Sequence, residues 1–106
     1  MRPSRRFELI FAPIVREHLQ AIDRRHHPLI RGAIEEQLRF EPSVVTRNRE
    51  PLRRSILGAA WKIRFGPENR FRVFYRVDEA GGKVYVLAIG EKQGNRLRIG
   101  GEEIVI

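Results

Sequence analysis

Cysteine is absent from this 106-residue chain, so it has neither a disulfide framework nor thiol chemistry. That absence fits a reducing compartment, and the cytoplasm is the expected location. Long apolar runs are missing too: Leu9–Val15 and Val84–Ile89 fall far short of the roughly 18 residues that a membrane helix needs. Glu8 and the lack of a small-residue cleavage site argue against a signal peptide, despite Arg2, Arg5 and Arg6. Lysine is scarce, with Lys62, Lys83 and Lys92 alone among 21 basic residues. The histidines have no ligand partners at suitable spacing: His26 and His27 are adjacent in a turn, and His18 lies beside an apolar stripe. No Gly-rich phosphate loop appears, because Gly81-Gly82 and Gly100-Gly101 lack the strand-to-helix context. Neither a metal nor another cofactor is expected.

What is present is positive charge. The formal net charge is +8, and the isoelectric point is about 11.2, which favours a polyanionic partner. The charge is unevenly spread: residues 41–76 hold nine basic against three acidic residues, while residues 77–106 are slightly acidic. With 42% hydrophobic and 32% charged residues, the composition is that of one globular domain, residues 1–106.

The basic middle has a pattern. Trp61, Ile63 and Phe65 alternate with Lys62 and Arg64; Phe71, Val73, Tyr75 and Val77 alternate with Arg70, Arg72, Phe74 and Arg76. This period of two predicts two strands around a Gly-Pro-Glu-Asn turn, with up to five cations on one sheet face. Like charges facing each other in a sheet are destabilising, by roughly 0.2–1 kcal/mol per pair. A fold keeps such a face most easily when a polyanion, here RNA, binds to it.

Around this hairpin, Arg6–Phe11 reads as a first strand. Ile14, Val15, Leu19 and Ile22 recur at helical spacing, as do Leu29, Ile30, Ala33, Ile34 and Leu38. His26-His27-Pro28 is expected to divide the two helices. From Pro42 to about Gly58 no period is visible. Lys83–Ile89 reads as a further strand, and Leu97, Ile99, Ile104 and Ile106 suggest a last strand or small hairpin. The expected fold is α+β in βααβββ order: an antiparallel sheet of about four strands, with an N-terminal helical hairpin on one face.

This order, with Trp-Lys-Ile-Arg, then Phe-Arg-Val-Phe-Tyr, then Leu-Ala-Ile-Gly-Glu-Lys, resembles the RelE/ParE superfamily of toxins from type II toxin–antitoxin systems. The RelE-like branch implies a metal-independent endoribonuclease that cuts mRNA on the ribosome, inhibits translation and is held inactive in a hetero-oligomer by a small antitoxin. The resemblance places catalytic residues at Lys62, Arg64, Arg72 and Lys92. The sequence departs from the RelE-like pattern near its C-terminus, where Gln93–Arg98 contains neither tyrosine nor histidine. Arg98 offers a guanidinium plane for base stacking there. Two alternatives remain: a ParE-like inhibitor of DNA gyrase, and a non-catalytic module that binds antitoxin or RNA.

Arginine cannot act as a base, because its pKa exceeds about 12, but it can clamp a phosphate bidentately. Lysine serves as a base where neighbouring cations disfavour its ammonium form, and Arg64 and Arg72 flank Lys62 in that way. The expected roles are therefore Lys62 as general base, Arg64 and Arg72 as phosphate clamps, and Lys92 as clamp or acid. Glu91 is a rival base. Arg70, Arg76 and Arg98 join the expected RNA-binding set. Arg47, Arg49, Arg53 and Arg54 join it as well, though the same four read equally as a solvated loop.

Overall fold

Apolar alternation builds a sheet, and short helical pieces cover one side of it. The computed structural model describes residues 5–105; Arg2 and Ile106 lie outside the described residues. Strand β1 (Glu8–Phe11) leads into helix α1 (Val15–Gln20), a 3-10 turn at Arg24–His26 and helix α2 (His27–Leu38). Strands β2 (Arg49–Ile56), β3 (Ala59–Phe65), β4 (Phe71–Asp78), β5 (Lys83–Gln93), β6 (Arg96–Ile99) and β7 (Glu102–Ile104) follow. Strands β2 to β7 pair antiparallel in chain order, while β1 pairs parallel with β5. Among the described residues no helix is long and apolar enough to cross a membrane.

The fold class expected from the sequence is corrected on two counts. Among the described residues the sheet has seven strands, one of them parallel, in place of about four antiparallel ones. Nor do the described residues form a helical hairpin, because α1 has only six residues. Asp23 interrupts the helical path with extended backbone (φ −52°, ψ 132°), and its carboxylate accepts the Arg25 N–H at 3.0 Å. The ring of His27 then meets the end of α1, with Nε2 2.8 Å from the Leu19 carbonyl and 2.9 Å from that of Ile22. Pro28 sits in the first turn of α2, where a missing N–H does no harm.

The stretch expected to lack structure, 42–58, contains β2. Its proline, Pro51, is tolerated because β2 is an edge strand. The β2–β3 loop has only two residues, Leu57 and Gly58, with φ of 53° and 85°.

The two faces of the sheet carry separate cores. On one, Ile63, Phe65, Phe71, Val73, Tyr75, Val84, Val86 and Ile89 pack with Val15, Ile30, Ile34 and Leu38 from the helices. Each such aliphatic or Phe side chain contributes about 1.5–3 kcal/mol on full burial. On the other, Phe74, Ala88, Leu97 and Ile99 form a smaller cluster, against which Leu52, Ile56, Leu87 and Ile104 pack. A bulge at Leu87 aids that closure: Phe74 pairs with Ala88 and Tyr75 with Val86, leaving Leu87 without a partner on β4. Phe74, which alternation assigns to the open cationic face, is therefore covered. The part of that face around Lys62, Arg64 and Arg72 is covered by neither helix.

Candidate nucleic-acid interface

Three cations project from adjacent positions on β3 and β4. Lys62 lies opposite Phe74, and Arg64 lies opposite Arg72. The Gly66–Asn69 turn fixes this register, and Gly66 is needed in it: φ is 83°, and a Cβ there would meet the Phe71 ring at 2.8 Å. Arg72 Nη1 donates to the Asn69 carbonyl at 2.6 Å, and Arg64 Nη2 to the Arg47 carbonyl at 3.4 Å. Among the described residues neither guanidinium forms an ion pair. Burial pushes the Arg72 pKa down, the Arg64 charge adds to that, and Glu50 opposes it. A guanidinium stays charged at neutral pH even so, which leaves a partly desolvated cation able to hold a phosphate.

Beside Arg72 on β5 is Gly90, whose partner on β6 is Ile99. A Cβ at Gly90 would come within 3.0 Å of the Arg98 carbonyl and of the Leu97 and Ile99 side chains. Glycine here lets β6 approach closely enough to complete the smaller core.

Sequence reasoning missed Glu50. Its position on β2 pairs with Lys62 on β3, and Lys62 Nζ lies 3.3 Å from Glu50 Oε1. The signal was not local, because it depends on β2 being a strand and on its register. The rival base, Glu91, sits elsewhere: it is buried and its carboxylate binds Arg70 Nε at 2.5 Å.

The remaining expected cations are dispersed. Arg49 is only 7% exposed, with Nη1 donating to the Glu41 and Val44 carbonyls and Nη2 to Gln37 Oε1 at 3.1 Å. Its head group tethers the 41–44 turn and does not reach the open face. Arg70 is committed to Glu91. Arg76 lies over the Tyr85 ring, 4.4 Å from its centroid. Arg98 turns away from Leu97 and Ile99, with Nη1 3.4 Å from the Gly101 carbonyl. Lys92 lines a cleft of about 540 Å³ with Pro67, Glu68 and Arg70. Arg53 and Arg54 are exposed on β2 and line another, of about 640 Å³, with Glu50 and Lys62. Arg47 is exposed in the preceding loop.

Two polar groups serve the fold and not the interface. The Tyr75 hydroxyl donates to the Pro42 carbonyl at 2.8 Å, while its ring stacks near Trp61. His18 is buried against β5, its Nδ1 accepting the Ile89 N–H at 3.2 Å, and burial lowers its pKa below the ordinary imidazole value.

No family model and no curated protein matches the sequence. The structure does have a match, a chain of the toxin–antitoxin complex RelBE2 from Mycobacterium tuberculosis. The TM-score is 0.67 at 24% identity, over 82% of this chain and 92% of that one. This protein therefore shares the fold of that RelBE2 chain over most of its length.

Proposed function

We propose that this protein is the toxin of a toxin–antitoxin pair, an endoribonuclease that cuts mRNA on the ribosome and is neutralised by a cognate antitoxin. The observation that carries the reading is the Arg64–Arg72 couple, free of ion pairs among the described residues and standing beside the Glu50–Lys62 ion pair on a face the helices leave open. The shared fold with a chain of a toxin–antitoxin complex supports the toxin half of it.

The proposed roles rest on this geometry. Cleavage without a metal uses the 2′-OH as nucleophile: a base removes its proton, O2′ bonds to phosphorus and the P–O5′ bond breaks. Lys62 Nζ lies 3.3 Å from Glu50 Oε1, and of this ion pair the carboxylate is the group with free lone pairs. The base role therefore passes from Lys62 to Glu50, and Lys62 orients the carboxylate and offsets developing charge. Arg64 and Arg72 clamp the non-bridging oxygens. In-line displacement needs an acid on the side away from the base, and Lys92, two residues beyond Gly90 on β5, is the proposed donor to O5′. The products are a 2′,3′-cyclic phosphate and a 5′-hydroxyl.

Induced expression of the wild type and of the Lys62→Ala/Arg64→Ala/Arg72→Ala variant tests this. Growth arrest with codon-phased mRNA cuts is expected from the wild type alone. DNA breaks with a damage response would replace the reading with gyrase poisoning. Harmless expression with retained RNA affinity would reduce the protein to a binding module.

A further inference from the structure

The β2 edge beside the Glu50–Lys62 pair has a feature that phosphate clamping does not require. Pro51 pairs with Trp61 and Ile56 with Ala59, but the register shifts between them, so residues 52–55 carry no regular ladder partners on β3. A bulge of this kind flares an edge strand, and here the flare opens the cleft of about 640 Å³. Its volume is that of a small-ligand site, roughly 300–1,000 Å³. Pro51, Leu52 and Ile56 line it, and the last two are fixed because they pack against the smaller core. Arg53 and Arg54 also line it, exposed and, among the described residues, free of salt bridges.

We infer that this cleft is a nucleotide subsite for the residue adjoining the scissile phosphate, a deepening that rests on the nuclease reading above. The base lies against the rigid apolar walls, and the next phosphate along the chain lies between Arg53 and Arg54. Charge complementarity and direct continuity with Lys62 argue for a nucleic-acid strand as the occupant. Apolar walls carry no hydrogen-bonding code, so the subsite adds affinity for any base and little selectivity among bases. It also supplies a base contact where the Gln93–Arg98 stretch offers neither tyrosine nor histidine.

Two fluorescent single-stranded probes of equal length test it: an eight-nucleotide 2′-deoxy strand, and an abasic strand with the same phosphates. The folded wild type is expected to bind the base-bearing strand about fivefold tighter, the gain from burying roughly 40 Å² of apolar surface. Arg53→Ala/Arg54→Ala is expected to weaken both and to flatten the salt dependence by about 0.7, the value for one phosphate on a single strand. Ile56→Gln, or Pro51→Ser should the first fail to fold, is expected to erase the preference for bases while sparing the abasic strand. Equal binding of the two strands by the wild type would overturn the base contact. Unchanged binding by Arg53→Ala/Arg54→Ala, with loss in Arg64→Ala/Arg72→Ala, would overturn the subsite and leave the nuclease reading standing. Unchanged binding by both double variants would remove both.

Discussion

Arg64 and Arg72 face each other directly across β3 and β4, and no carboxylate pairs with either among the described residues. A like-charged cross-strand pair weakens a sheet by roughly 0.2–1 kcal/mol, a loss of stability that the proposed RNA binding would account for. Arg64→Thr is therefore expected to raise the unfolding free energy in a urea melt by an amount in that range while lowering RNA cleavage at least about 100-fold. A fall in stability would mean that the two guanidinium groups do not repel.

Arg49 makes the opposite prediction. Its hydrogen bonds to Glu41, Val44 and Gln37 hold the 41–44 turn from a buried position. Arg49→Ala leaves those acceptors unsatisfied and is expected to cost about 2–4 kcal/mol in a denaturant melt. RNA affinity per folded molecule should not change. The exposed Arg53→Ala is expected to stay within about 0.5 kcal/mol of the wild type.

The difference between these arginines shows where the sequence was legible. Alternation from Trp61 to Val77 identifies two strands, their turn and the side on which Lys62, Arg64 and Arg72 project, because period two is a local signal. Strand β2 was hidden by three local irregularities: Pro51 inside it, a bulge after it, and a Leu57-Gly58 turn in place of a recognisable Asn-Gly. Without β2 neither the Glu50–Lys62 pair nor the burial of Arg49 can be read. Phe74 was misplaced because the cover over it comes from β6, β7 and the β2 tip, all distant in sequence. The parallel β1–β5 pairing and the short α1 likewise depend on contacts that no window of ten residues contains.

The turn itself offers a stability test. Leu57 holds φ of 53° at 59% exposure, where its side chain gains little burial. A left-handed conformation costs an L-residue with a Cβ roughly 1–2 kcal/mol, and asparagine tolerates it better. Leu57→Asn is expected to stabilise the protein by about 0.5–1 kcal/mol in thermal or urea unfolding.

His18 links stability to pH. Burial lowers its folded-state pKa, with Glu17 partly opposing, and its neutral Nδ1 accepts the Ile89 N–H. Between the folded value and the unfolded value of about 6.5, the unfolded chain binds more protons, so stability falls as pH falls through that window. The contribution is complete above about pH 6.5 and is lost below the folded pKa. His18→Gln, which cannot titrate, is expected to be less stable at neutral pH and to lack that acid-side slope in urea melts.

The chemistry of the cut ends tests the central claim most directly. Transcripts recovered after induction of the wild type should end in 2′,3′-cyclic phosphates opposite 5′-hydroxyls, and Glu50→Gln should reduce such ends by about 100-fold or more. Ends bearing 3′-hydroxyls, or cleavage undiminished by Glu50→Gln, would contradict a 2′-OH attack driven from the Glu50–Lys62 pair.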